Sequence, residues 1–193
     1  MKEDTKEKIL RCGAEIIHLK GYNHTGIQEV LQAAGMPKGS FYNYFKSKED
    51  FGLQVIDYFV EFFKDRARGT LEDVNVSPLE RIRKFLQDFI TLFESLDFAC
   101  GCPIGNLAQE MGDLSPAFRE KLKQSLETMV DLFARVLAEA QAAGQLSKEL
   151  DVREAAFFLM YSWHGALMHM KALKGPAPLE NHLKSIFDYV LKN

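Results

Sequence analysis

Two stretches of this chain carry side chains suited to chemistry. The first is PKGSFYNYFKSK, residues 37–48. Its three ammonium groups, Lys38, Lys46 and Lys48, are cations of the kind that meet phosphate oxygens. Between them, Ser40, Tyr42, Asn43 and Tyr44 offer hydroxyl and amide groups that can bond to phosphates or to base edges. The second is ACGCP, residues 99–103. Thiolates there could act as nucleophiles or as soft metal ligands. Farther on, Trp163, His164 and His169 combine apolar bodies with polar edges, which suits the wall of a ligand pocket.

The elements that must position the first group are short. In GIQEVLQAAGMPKGSFYNYFKSK, residues 26–48, Ile27, Val30, Leu31 and Ala34 recur at helical spacing and form one buried stripe. Gly35 supplies a turn, and Pro37 is tolerated at the start of a second helix, where its missing N–H costs nothing. That second helix has only Phe41 and Phe45 as anchors, so Lys38, Gly39, Ser40, Tyr42, Asn43 and Tyr44 face outward. The pattern predicts a helix-turn-helix. A helix so short is not stable alone, and its outward polar face is suited to contact with duplex DNA.

Length and charge narrow the choices. The 193 residues can bury a sizeable core in one or two units. No apolar run approaches the roughly 18 residues of a membrane span. The opening MKEDTKEKIL lacks the apolar stretch of a secretory signal, so a cytoplasmic location is expected. Three cysteines (Cys12, Cys100, Cys102) without an export signal argue against a disulfide framework. The net charge of −3 argues against indiscriminate coating of nucleic acid. Residues 1–50 nevertheless carry a balance of +1 against −4 for the remainder.

Helical periodicity runs through the whole chain, giving an all-α fold of about nine helices. Boundaries fall at capping signals: Thr5 to Lys20, the two short helices, a long helix from Ser47 fading near Gly69, and one opened by Ser77-Pro78. After a break at 97–103 come helices over 104–111, from Ser115-Pro116 to Gly144, from Asp151 to about Leu173, and from Pro178 onward. On the long helix after Ser47, Phe51, Val55, Tyr58, Phe59 and Phe62 are expected along one side. The natural division is a three-helix head, residues 1–46, and a larger helical body, residues 47–193. The last two helices are apolar over more than one face. Ala155, Ala156, Ser162, Gly165 and Ala166 permit close approach there, which suits a homodimer built as a four-helix bundle. Two-fold symmetry would place two recognition helices about 34–36 Å apart, one turn of DNA, on a palindromic operator.

With these residues in view, the chain is similar to the TetR/AcrR family of bacterial transcriptional regulators. The resemblance rests on LKGY at the end of the first helix, Thr25 before the second, and AAGMPKGSFYNYFKSKEDF. It implies a ligand-responsive repressor that binds DNA. It further implies that Thr25 and Lys48 clamp phosphates, that Lys38, Ser40, Asn43 and Tyr44 enter the major groove or its rim, that Gly39 lets the backbone approach DNA, and that Tyr42 bonds a phosphate. Gly13, where a helix-favouring Ala is expected, and Gly26 depart from the pattern.

In such regulators the body binds an inducer with different affinity in two states of the dimer. Aromatic residues such as Phe89 and Phe93, together with Trp163 and His164, are candidates for that pocket. The segment ACGCPIGNLAQEMGD resembles a subgroup in which a cysteine senses electrophiles or oxidants. Cys102 stands at the matching place, and Lys171 matches a lysine that favours the thiolate. Two plainer readings compete: a cysteine that is simply a small buried hydrophobe, and a Cys-x-Cys metal pair, for which further ligands at useful spacing are missing. No cofactor is expected. An enzyme using Glu110, Asp113, Cys102 and His164 has no catalytic motif behind it. A helical adaptor that binds a protein instead of DNA is the alternative from another class.

Overall fold

The computed structural model describes residues 4–192; residues 1–3 of the charged opening, and Asn193, lie outside the described residues. Among the described residues the chain is helical and has no strand: α1 (Thr5–Lys20), α2 (Ile27–Ala33), α3 (Lys48–Thr70), α4 (Pro78–Ser95), α5 (Pro103–Met111), α6 (Pro116–Ala142), α7 (Val152–Leu173) and α8 (Ala177–Ser185), with a π-turn over Ile186–Val190. The expected second helix of the helix-turn-helix is a single 3-10 turn, Phe41–Asn43, so eight α-helices stand where about nine were expected. Of the nine residues between Pro37 and the α3 cap Ser47, the amides of Ser40, Asn43 and Tyr44 each reach back three residues and only that of Phe45 reaches back four, to Phe41, so no α-helix propagates.

Sequence signals set most boundaries. Ser47 caps α3 by accepting the Asp50 amide at 3.0 Å, while the Asp50 carboxylate takes the Lys46 amide at 2.8 Å. The Lys46 amide, with the Gln54 side chain, holds the Asp50 carboxyl below its usual pKa. Asp151 caps α7 by accepting the amides of Arg153 and Glu154 at 2.9 and 3.0 Å. Gly21, at φ +87°, ends α1.

Two compact units form. The first takes the residues up to Phe62 together with Pro103–Ser125; the second takes Phe63–Cys102 and the residues from Leu126 onward. The first unit thus joins the residues of the 1–46 head with most of α3, with α5 and with the first turns of α6.

In the first unit, Ile9, Ala14, Ile17, Val30, Leu31 and Ala34 are buried over an aromatic floor. Phe41 lies 5.0 Å from Phe45 and 5.5 Å from Phe51, ring centre to ring centre. Gly13 is where α1 admits that floor. A Cβ added at Gly13 would collide with the tip of the Phe51 ring, so glycine here is a packing requirement and not a weakness.

The second unit has its own aromatic chain. Phe63 meets Phe85 at 5.3 Å and Phe89 at 6.0 Å, and Phe85 meets Phe133 at 5.7 Å. On α3 the buried stripe is Phe51, Val55, Ile56, Phe59, Val60 and Phe63; Phe62, expected inside, is 42 % exposed. Arg81 is 5 % exposed. It donates to the Leu71 carbonyl at 2.7 Å and pairs with Glu139 at 2.5 Å, tying the end of α3 to α4 and α6. No helix among the described residues is long and apolar enough to cross a membrane.

Candidate nucleic-acid interface

The head presents its polar row on a floor it cannot leave. Phe41 and Phe45 are each 1 % exposed. Burying such side chains contributes on the order of 2 kcal/mol each and fixes the 3-10 turn between them. The turn then projects Tyr42, 69 % exposed, with Lys38, Gly39 and Asn43 also exposed and Ser40 and Tyr44 half-buried. Nothing lies within 4 Å of the position a Cβ would take at Gly39. The Ser40 hydroxyl donates to the Pro37 carbonyl at 2.8 Å, which leaves its oxygen as an acceptor on the exposed side.

The two expected phosphate contacts are placed differently from each other. Thr25 is 1 % exposed and its hydroxyl donates to the Gly21 carbonyl at 2.6 Å. It fastens the α1–α2 turn, and its one hydroxyl hydrogen is already committed. Lys48 is half-buried at its stem, and its ammonium rests 4.6 Å from the centre of the Tyr22 ring. The turn at residues 21–26 is further tied by Lys20, whose ammonium bonds the Glu29 carboxylate at 2.6 Å and, with the Gly26 amide, lowers its pKa.

Sequence reasoning missed one contact at this turn. Glu110, at the end of α5, accepts the Tyr22 amide at 2.9 Å and the Asn23 amide at 2.7 Å. A carboxylate 87 residues away has no local signature. The left-handed Gly21 beside it was the available hint: a Cβ there would stand 2.8 Å from Glu110 Oε2.

The second group of candidates, Phe89, Phe93, Cys102, Trp163, His164 and Lys171, falls within the second unit. Cys100 is buried and Cys102 half-buried. Burial pushes the Cys100 thiol above its ordinary pKa, against a smaller opposing pull from Lys171 and Lys174. The field of Lys171, the lysine expected beside Cys102, therefore reaches Cys100. Asp97, Phe98 and Cys100 all hold positive φ, between 51° and 66°. A run of left-handed non-glycine residues is strained by roughly 1 kcal/mol each, and the segment leads straight into α5. Phe93 is buried and Phe89 half-buried within the aromatic chain of the second unit, 6.1 Å apart.

Trp163 is 6 % exposed and meets His182 edge-on at 5.3 Å. His182, which sequence reasoning did not single out, bonds Ser162 through Nε2 at 2.9 Å. Burial lowers its pKa to about 4, and its Nδ1 has no partner. His164 is likewise depressed by burial, with Nε2 unpartnered, while His169 is exposed. A shallow groove of about 370 Å³ opens elsewhere in this unit, lined by Arg83, Gln87, Thr91, Glu180, Lys184 and Asp188 among others. None of the expected pocket residues lines it. Among the described residues no group of three or more His, Cys, Asp or Glu could hold a metal ion.

An all-helical chain whose first two helices carry a solvent-facing polar 3-10 turn has the architecture of a DNA-binding regulator. Residues 9–55 match the family model "Bacterial regulatory proteins, tetR family", and residues 78–186 match "Tetracyclin repressor-like, C-terminal domain". The chain is 36% identical to the HTH-type transcriptional repressor DhaR of Mycobacterium sp. (strain GP1), over 96% of this chain and 92% of that one. It is 28% identical to the HTH-type transcriptional repressor NemR of Escherichia coli (strain K12), over 96% and 94%. A crystal structure titled regulatory protein TetR from Rhodobacter sphaeroides superposes with a TM-score of 0.89 at 36% identity, covering 95% of this chain and 97% of that one. The protein belongs to the TetR family of bacterial transcriptional regulators. It is a DNA-binding transcriptional repressor, and the adaptor and enzyme readings fall away.

Proposed function

We propose that this repressor binds a palindromic operator as a homodimer and leaves it when a small ligand or an electrophile acts on the body. In this reading residues 1–46 are the DNA-binding head and residues 47–193 the sensing and dimerising body, working in the bacterial cytoplasm. Lys38, Gly39, Ser40, Asn43 and Tyr44 reach base edges or the groove rim, and Tyr42 and Lys48 hold phosphates. Thr25 serves by fixing the turn that carries Tyr22. The observation that carries the reading is the exposed row from Lys38 to Tyr44 on an immovable aromatic floor. A binding titration of Lys38→Ala and Asn43→Ala against a selected duplex tests it. Each should cost roughly ten-fold in affinity, and unchanged binding by both would remove the row from the interface.

Dimerisation through α7 and the segment after it has its own support. Phe158, Tyr161 and Met168 are 52, 65 and 58 % exposed, and at i, i+3 and i+10 they share one face with Gly165. Ala155 and Ala156 are buried within the chain and pack inward instead. An exposed apolar stripe of this length marks an association surface. Light scattering should give twice the chain mass, and Tyr161→Asp should shift it toward one chain.

For release, the strained segment 97–101 and the half-buried Cys102 support an electrophile-responsive thiol. Conjugate addition of the Cys102 thiolate to an activated alkene forms a C–S bond, and the thiol's proton ends on the adjacent carbon. A solved structure of the relative NemR is titled as a reduced form, which names a redox-defined state for that protein. Phe89, Phe93, Trp163, His164 and Lys171 are the residues of the same unit proposed to receive a ligand or to tune the thiol. Exposure to N-ethylmaleimide should release DNA from the parent chain and leave Cys102→Ser bound. Equal release from both would end the proposal for Cys102.

A further inference from the structure

Glu110 lies outside the polar row and touches no candidate DNA contact directly, yet it fixes the turn next to one. Each of its carboxylate oxygens accepts one backbone amide, from Tyr22 at 2.9 Å and Asn23 at 2.7 Å. Charge-assisted bonds of this kind are about twice as strong as neutral ones. The room for the carboxylate exists because residue 21 is glycine.

The Tyr22 side chain is held just as firmly. Tyr22 is 7 % exposed, and its ring lies 4.8 Å from that of Phe118 on α6. A Cβ at Gly52 would stand 2.6 Å from Tyr22 Cε2 and 2.5 Å from Phe118 Cζ, so ring, α3 and α6 are in close contact. On this clamped ring rests the Lys48 ammonium, 4.6 Å from the centroid. Burial, with the nearby Glu49 and Glu110 carboxylates, raises the Tyr22 phenol to about 12, so the ring stays neutral. Glu49 is itself anchored, taking the Ser115 hydroxyl at 2.7 Å.

We propose that Glu110 is a positioning residue for DNA binding: by pinning the Tyr22–Asn23 backbone it sets the ring that holds the Lys48 ammonium where a phosphate will meet it. The proposal rests on the reading of Lys48 as a phosphate contact. A free lysine side chain loses rotamer freedom when it binds. One already laid on a fixed aromatic face has less to lose, and that advantage depends on Glu110 only while Lys48 is present.

The test is a double-mutant cycle on a duplex selected from a random-sequence pool with the wild-type full-length chain. Lys48→Ala should weaken binding and lower the slope of log affinity against log salt by about one ion. Glu110→Ala should weaken binding about five-fold, and adding it to Lys48→Ala should change affinity by less than about two-fold, because interacting groups are not additive. Glu110→Gln, which keeps one acceptor and loses the charge, completes the same cycle if Glu110→Ala does not fold. Effects that multiply in the double variant overturn the positioning role, as does a Lys48→Ala variant that binds like wild type. If the wild-type chain enriches no duplex at all, the DNA-contact reading fails first and carries the proposal with it.

Discussion

The two packed units treat buried polar groups in opposite ways. In the first, Thr25 spends its hydroxyl on Gly21, Ser115 on Glu49, and the Glu110 carboxylate takes two amides. In the second, Arg81 Nε, His164 Nε2 and His182 Nδ1 are buried without a partner. An unpaired buried polar group costs about 1–3 kcal/mol. These groups of the first unit are satisfied as they stand, which suits the fixed row of side chains proposed to meet DNA. The second carries unmet hydrogen-bonding capacity and a strained cysteine segment, which suits the two-state sensing part proposed above.

The largest blow to this contrast is dealt at the floor of the head. Phe41→Ala removes a ring that touches Phe45 and Phe51 and should cost about 3–5 kcal/mol. Calorimetry should then show the first unit melting at lower temperature. A single unshifted transition would mean that the head does not depend on its own floor. In the second unit the comparable lever is pH. The folded pKa of His182, about 4, lies below its ordinary value of 6.5, so the unfolded chain binds the proton more readily in that window. Stability is therefore full above about pH 6.5 and is lost as pH falls toward 4, by up to about 3 kcal/mol. Burial of His164 acts with the same sign. Thermal melts across that range should fall for the parent and flatten for His182→Gln.

A smaller effect separates packing from propensity. Alanine is the better helix former by about 1 kcal/mol, but at Gly13 its methyl meets the Phe51 ring. Gly13→Ala should lower stability by about 1–3 kcal/mol; a gain on denaturant titration would show that Phe51 moves aside freely. The smallest effect on stability is expected at Tyr42. At 69 % exposure, Tyr42→Phe should shift stability by less than about 0.5 kcal/mol while weakening binding to the selected duplex. Together these separate a head whose surface is expendable for folding from a body whose interior is not fully satisfied.

Much of this was legible in the sequence because it is local. Helix starts at Thr5, Pro78 and Val152 follow from side chains within a few residues, such as Asp151 capping its own helix. The inward Phe41 and Phe45 follow from i, i+4 spacing. Phe62 was misplaced because a stripe on a 23-residue helix drifts with each turn, so Phe63 took the inner position. The recognition helix shrank to a 3-10 turn because spacing sets which side chains face in, not how many backbone bonds a short segment closes. Lys171 was matched to Cys102 by sequence; that its field reaches Cys100 is visible only in the structure.

The sequence by itself determined the helices, the family motif and the outward row from Lys38 to Tyr44, since each depends on residues within one or two turns of one another. Only the tertiary structure decided that Glu110 holds the Tyr22–Asn23 turn, that Lys48 rests on Tyr22, that Gly13 makes room for Phe51, and that His182 is buried against Trp163. Those are meetings between residues 19 to almost 90 positions apart. Such contacts are set by how packed faces come together, and no local pattern encodes the distance across them.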